Sequence, residues 1–117
     1  MNPFLTKQRA VLKVYLLNEI ERSKSYGWRY TEAIAARNAD YQPTHSEIYK
    51  ALHELTAEGI IKRHKQHVIE KGSGLSEVVL YSFTEDGYHK AQIYKLQVKN
   101  DLERSKRLID SIIADNY

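Results

Sequence analysis

The run Pro43–Arg63, PTHSEIYKALHELTAEGIIKR, most restricts what this chain can fold into. Pro43 pushes Gln42 out of the helical region, so a helix starts here rather than earlier. Thr44 is a good N-cap, and Glu47 at the third position after it completes a capping box. Ile48, Ala51, Leu52 and Leu55 then share one side, with Ser46, Lys50 and His53 opposite and Tyr49 on the flank. Gly59 is the expected C-cap. Ile60–Ile69 beyond it has the residues of a strand, and a basic one. The pattern predicts a helix held by its apolar side, with its polar side offered outward.

The flanking segments extend this order. From about Thr6 to Arg22, Ala10, Leu12, Val14, Leu16, Leu17 and Ile20 give a broad apolar face, as a central helix needs. Tyr26, Trp28 and Tyr30, punctuated by Gly27, favour a short extended piece. Thr31–Arg37 reads as a helix and Asn38–Pro43 as a turn. Lys71–Gly74 makes a hairpin turn, and Glu77–Thr84 is the returning strand, with Val79, Tyr81 and Phe83 on one face and Val78 and Leu80 on the other. The last segment is helical over 86–115. Its stripe of Ala91, Tyr94, Val98, Leu102, Leu108, Ile109 and Ile112 is spaced mostly three or four residues apart, as in a coiled-coil seam. About 30 helical residues span roughly 45 Å, more than so small a domain covers, so the far half needs a partner. A second copy of the chain is the expected one.

Composition narrows the function classes. With 117 residues the chain fits one domain, 1–117. It has no cysteine, so disulfides and thiolate-bound zinc are excluded. No apolar run is long enough for a membrane span and no signal-peptide pattern opens the chain, so a cytoplasmic location is expected. The net charge of +3 permits an anionic partner, and its distribution sharpens that. Lys7, Arg9 and Lys13 precede the first acid, Glu19, and Lys62, Arg63 and Lys65 cluster with His64 and His67. His64 and His67 face opposite sides of a strand, and His45 and His53 are too far apart on one helix, so no metal site is expected. Gly72-Ser73-Gly74 lacks the Lys-Ser/Thr of a phosphate loop, and no catalytic constellation or cofactor motif stands out; the chain reads as a non-enzyme.

The fold class is therefore α+β: a winged helix-turn-helix, ordered α-β-α-α-β-β-α, with a long C-terminal dimerisation helix. Such a fold lays the second helix of its helix-turn-helix, here the one capped by Thr44, in the major groove of double-stranded DNA. Thr44, Ser46 and Lys50 are the candidate base-reading residues, and Lys62, Arg63 and Lys65 the candidate phosphate contacts of the wing. Tyr94, Val98, Leu102, Leu108, Ile109 and Ile112 are the candidate dimer contacts. An ordinary surface helix and a charge-protected edge strand produce the same local patterns, so both alternatives stay open here.

Several blocks in one order resemble the replication terminator proteins of the Gram-positive, Bacillus type. They are Lys7-Gln8-Arg9-Ala10, Tyr26-Gly27, Leu52-His53-Glu54-Leu55, Gly59-Ile60, Glu77-Val78-Val79-Leu80-Tyr81 and Tyr94-Lys95 through Leu108-Ile109. The resemblance implies a homodimer joined by its last helices, nucleoid-associated, that binds terminator sites and stops the replicative helicase. It adds Lys7 and Arg9 as DNA contacts and Tyr26 as the helicase contact. The outward residues Thr44, Ser46 and Lys50 depart from that family's set, so a different DNA sequence is expected to be read. Tyr81-Ser82-Phe83-Thr84 with Gly87 also resembles the strand-to-helix junction of PadR-like repressors. That leaves transcriptional repression, or a plasmid or phage DNA-binding role, as the alternative use of the scaffold.

Overall fold

Leu12, Leu16, Leu17 and Ile20 recur over a broad arc of the first helix, and all are buried in the computed structural model of the chain. The structure describes residues 3–23, 29–37, 41–70 and 74–117, with side chains placed for all of these but 3–7, 23, 68–70 and 74–77. The described elements are α1 (Pro3–Ser23), α2 (Tyr30–Arg37), α3 (His45–Ala57), β1 (Ile61–Glu70), β2 (Gly74–Phe83) and α4 (Gly87–Asn116). β1 and β2 form an antiparallel hairpin that pairs Ile61 with Phe83, Arg63 with Tyr81 and Lys65 with Val79. α1 crosses the centre and touches α2, α3, β2 and α4.

The four inward positions of α3, Ile48, Ala51, Leu52 and Leu55, are fully buried. Burying each Leu or Ile there contributes about 1.5–3 kcal/mol, enough to hold the helix by that side alone. Ile60, Ile61 and Tyr81 close the core from the hairpin, and Ile34 and Tyr30 close it from α2. Tyr30 is a correction to the extended reading: it is the first residue of α2, and its ring lies 6.5 Å from that of Tyr81. A large side chain at a helix start can reach back into the core as readily as one on a strand. The rest of the expected extended piece lies outside the described residues. Glu19 is also buried, held by Arg37 Nε at 2.7 Å, which ties α1 to α2.

The end of α3 is built from two backbone bonds. Gly59 adopts φ +77°, the left-handed conformation glycine enters without a Cβ penalty. Gly59 N–H then reaches Thr56 O, and Ile60 N–H reaches Leu55 O, both at 3.1 Å, satisfying carbonyls the helix leaves open. Thr84 fastens the start of α4 to this same point. Its Oγ1 donates to Gly59 O at 2.7 Å and its N–H to Ile60 O at 3.1 Å. Gly87 packs so closely that a Cβ there would sit 1.9 Å from Ile60 O.

The radius of gyration is 16.9 Å and the longest dimension 62 Å. A compact chain of this length has a radius near 13 Å. The excess is α4, which runs 30 residues and is buried only at Gly87, Ala91 and Val98. Among the described residues no helix is long and apolar enough to cross a membrane.

Candidate nucleic-acid interface

α2 and α3 pack against α1 and against each other, and α3 is presented outward; residues 38–40 of the expected turn between them lie outside the described residues. Thr44 caps α3 by accepting the Glu47 N–H at 3.2 Å, so one of its oxygen's acceptor positions is committed to the helix start. Thr31 Oγ1 lies 3.0 Å from His45 Nδ1, linking α2 to that same start. With both ends of α3 fastened and its inner side buried, Ser46, Tyr49, Lys50 and His53 are left exposed.

Arg9 of α1 joins this face. It lines one shallow depression together with Ser46, Tyr49, Lys50, His53 and Glu54. Arg9 Nη1 is held by Glu54 Oε1 at 2.7 Å, which fixes the guanidinium beside α3. Three of the expected contact residues, Arg9, Ser46 and Lys50, thus meet in one place. Tyr49 and His53 belong to it too. They complete the spacing of Ser46 and Lys50 at successive turns, and that periodicity was the available signal.

The hairpin divides its basic residues. Arg63 and Lys65 pair with Tyr81 and Val79, and so share the face that continues into the core below α3. Lys62 pairs with Ser82 and looks the other way, so the structure separates it from the other two. The Tyr81 hydroxyl pKa is pushed up, chiefly by burial, while the Arg63 guanidinium beside it works in the opposite direction. That electrostatic contact places Arg63 at the base of the wing. The backbone of Lys7 lies in α1, but its side chain falls outside the described residues, and so does the whole of Tyr26.

Lys13, which the sequence groups with Lys7 and Arg9 ahead of the first acid, is turned inward. Its side chain is only 10% exposed, and Nζ contacts Glu54 Oε2 at 3.0 Å and Glu58 Oε1 at 2.9 Å. Nζ also stands 5.9 Å from the centre of the Tyr94 ring, within reach of a cation–π attraction. Burial alone would lower its pKa, but the hydrogen bonds to Glu58 and Glu54 outweigh burial and raise it. The Glu54 carboxyl is held below its ordinary range, first by the Lys13 hydrogen bond and against a smaller effect of burial. The stabilising contribution of Glu54 is therefore present above the unfolded carboxyl pKa, about 4.3, and is lost as pH falls through the lower folded value. That of Lys13 is full below about 10.4 and is lost as pH rises beyond it. Thermal melts of wild type and Glu54→Gln should differ most between these limits. The gap should begin to narrow as pH falls below about 4.3 and close once pH has dropped below the lowered folded value; a gap that does not narrow at all on acidification would refute the assignment.

The expected dimer contacts fall into two groups. Val98 is buried and Tyr94 half-buried against the chain's own core. Leu102, Leu108, Ile109 and Ile112 are exposed, as are Ile113 and Leu96. Leu102 borders an apolar groove between α4 and Val14 of α1. Among the described residues no group of three or more His, Asp or Glu side chains is placed to hold a metal ion.

Residues 3–117 match the family model described as "Replication terminator protein". The replication termination protein of Bacillus subtilis is 40% identical over 116 residues, which cover 97% of this chain and 92% of the relative. The fold is also that of a transcriptional regulator from Thermoplasma acidophilum, with a TM-score of 0.65 at 15% identity, covering 91% of this chain and 93% of the other. Bacillus subtilis PadR in complex with operator DNA matches at a TM-score of 0.56 and 25% identity, over 72% of this chain and 46% of PadR.

Proposed function

Because the chain belongs to the replication terminator protein family, we propose that it is a sequence-specific, double-stranded-DNA-binding homodimer that occupies terminator sites and blocks replication forks. The observation that carries this reading is the single polar face on which Arg9, Ser46 and Lys50 meet, on a helix fastened at both ends. A rigid helix with a cationic polar face is what base readout in a major groove requires. Arg63 and Lys65, on the adjoining face of the wing, supply phosphate contacts. Lys62, on the opposite face, contributes less.

The dimer forms through Leu102, Leu108, Ile109 and Ile112, with Tyr94 and Val98 bracing the helix from inside. It places two α3 helices in successive major grooves, about 34 Å apart. Fork arrest involves the replicative helicase, with Tyr26 the contact residue, and puts the protein in the cytoplasm on the nucleoid. The likeness to PadR on its operator supports a second use of the same scaffold, transcriptional repression.

Sequences selected by the protein from a random duplex pool test the proposal. Tandem paired half-sites that arrest a fork from one direction support the terminator reading. A lone palindrome without arrest supports repression, and no selected sequence at all rejects both. On the selected site, Lys50→Ala should lose about 1–3 kcal/mol of discrimination at one base position. Lys65→Ala should instead weaken all sequences alike and reduce the salt slope by about 0.9. Equal loss on every sequence for Lys50→Ala would remove Lys50 from base reading.

A further inference from the structure

The recognition helix and the long helix are not joined by a linker that can flex freely. They are fastened to each other at one point. Thr84 Oγ1 donates to Gly59 O at 2.7 Å, and Thr84 N–H donates to Ile60 O at 3.1 Å. Gly59 and Ile60 are the residues that terminate α3, through their own bonds to Thr56 and Leu55. Gly87, in the first turn of α4, lies against the same Ile60 carbonyl with no room for a Cβ. The end of α3 and the start of α4 are therefore one hydrogen-bonded unit. α4 is held further along by α1, through the Lys95–Glu21 pair at 3.5 Å and Lys13 over the Tyr94 ring, and by β2, through the edge-on contact of Phe83 with Tyr88 at 5.7 Å.

We propose that Thr84, seated on Gly59 and Ile60 and backed by Gly87, is a positioning residue that sets the spacing of half-sites the dimer accepts. This rests on the dimeric, DNA-reading function proposed above. Leverage is the physical reason. At 1.5 Å per residue, Leu102 lies about 22 Å along α4 from Gly87. A tilt of about 10° at the junction would move α3 by about 4 Å relative to that region. One base pair rises 3.4 Å, so a tilt of that size changes the spacing read by a full base pair. A dimer that distinguishes spacings differing by one base pair needs a junction stiffer than this. Here the stiffness comes from the Thr84 hydroxyl and the close seat of Gly87. Thr84 reads no base and touches no phosphate; it acts through the orientation of α3.

The test compares wild-type protein with Thr84→Val, Thr84→Ala and Thr84→Ser, each selecting from a random duplex pool, with the distribution of distances between paired half-sites as the readout. A purely stabilising role would scale binding at every spacing alike and leave that distribution unchanged. Wild type should select one spacing. Thr84→Val and Thr84→Ala, which lack the hydroxyl, should lower the preference for that spacing over its neighbours at plus and minus one base pair by about 3- to 10-fold, the worth of one hydrogen bond. Thr84→Ser, which keeps the hydroxyl, should restore the wild-type distribution. One unchanged spacing for all four proteins overturns the inference and leaves the dimeric reading intact. A wild-type pool without paired half-sites overturns the dimeric reading, and this inference with it.

Discussion

Replacing Ile109 and Ile112 together by aspartate should leave a folded monomer. Its affinity for a duplex carrying two half-sites should fall by about 1,000-fold. The two side chains are 42% and 51% exposed, on a stretch of α4 that touches nothing else in the chain strongly enough to bury a residue. Fully burying an isoleucine contributes about 1.5–3 kcal/mol, and these two are half-covered already, so about 1 kcal/mol each is the fair allowance. Two-fold symmetry loses each contact twice, which gives about 4 kcal/mol, or about 1,000-fold in dimer affinity. Aspartate adds the cost of desolvating charge on the seam. The DNA affinity follows, because one protomer on one half-site forfeits the gain from linked binding, about 10²–10⁴. The core side chains of α1, α3 and the hairpin are untouched, so the variant should still unfold cooperatively. Sedimentation at micromolar concentration is the check. A variant that remains a dimer there would remove this end of α4 from the interface.

Gly87→Ala should lower the melting temperature by about 10 °C. The added Cβ would meet Ile60 O at 1.9 Å and Thr84 Oγ1 at 2.7 Å. Neither is the free end of a flexible side chain: one is backbone, and the other is held by its bond to Gly59. The first turn of α4 must therefore move away from the end of α3. Overpacking of this kind costs about 1–3 kcal/mol, occasionally more, and about 3 kcal/mol shifts the midpoint of a domain this size by roughly 10 °C or more. The usual benefit of alanine over glycine in a helix, about 1 kcal/mol, is smaller and does not reverse the sign. A shift of less than about 2 °C would mean that the junction yields more easily than its geometry implies.

These two sites differ in how readily the amino-acid sequence betrays them. The apolar end of α4 is legible, because its spacing persists after the rest of the core has been accounted for. So is α3, whose buried residues, cap and terminating glycine all follow local rules that the structure obeys. Lys13 is not legible. In the sequence it belongs with Lys7 and Arg9 as a basic run, yet its partner Glu58 is 45 residues away and no local pattern joins them. The stripe on α4 also conceals its own division. The same spacing serves Val98, which turns into the core, and Ile112, which does not. Only the path of α1 decides where one use ends and the other begins. Thr84 and Gly87 are visible as a strand-to-helix junction, but their attachment to Gly59 and Ile60 is a contact between distant segments that composition does not encode.

The cluster of Arg9, Lys13, Glu54 and Glu58 also bears on how specificity can diverge in such a protein. Glu54 and Glu58 are engaged with α1, and Ile48, Ala51, Leu52 and Leu55 with the core. Most of α3 is therefore under constraint from the scaffold, whereas Ser46, Tyr49, Lys50 and His53 are exposed on its outer face. On the proposed function, those positions form an interchangeable cassette. New side chains can be substituted there, by mutation or by grafting from a relative, without disturbing the clasp that keeps the helix in place. In the proposed DNA reader, changes at those positions alter the sequence read while the scaffold keeps the helix in place.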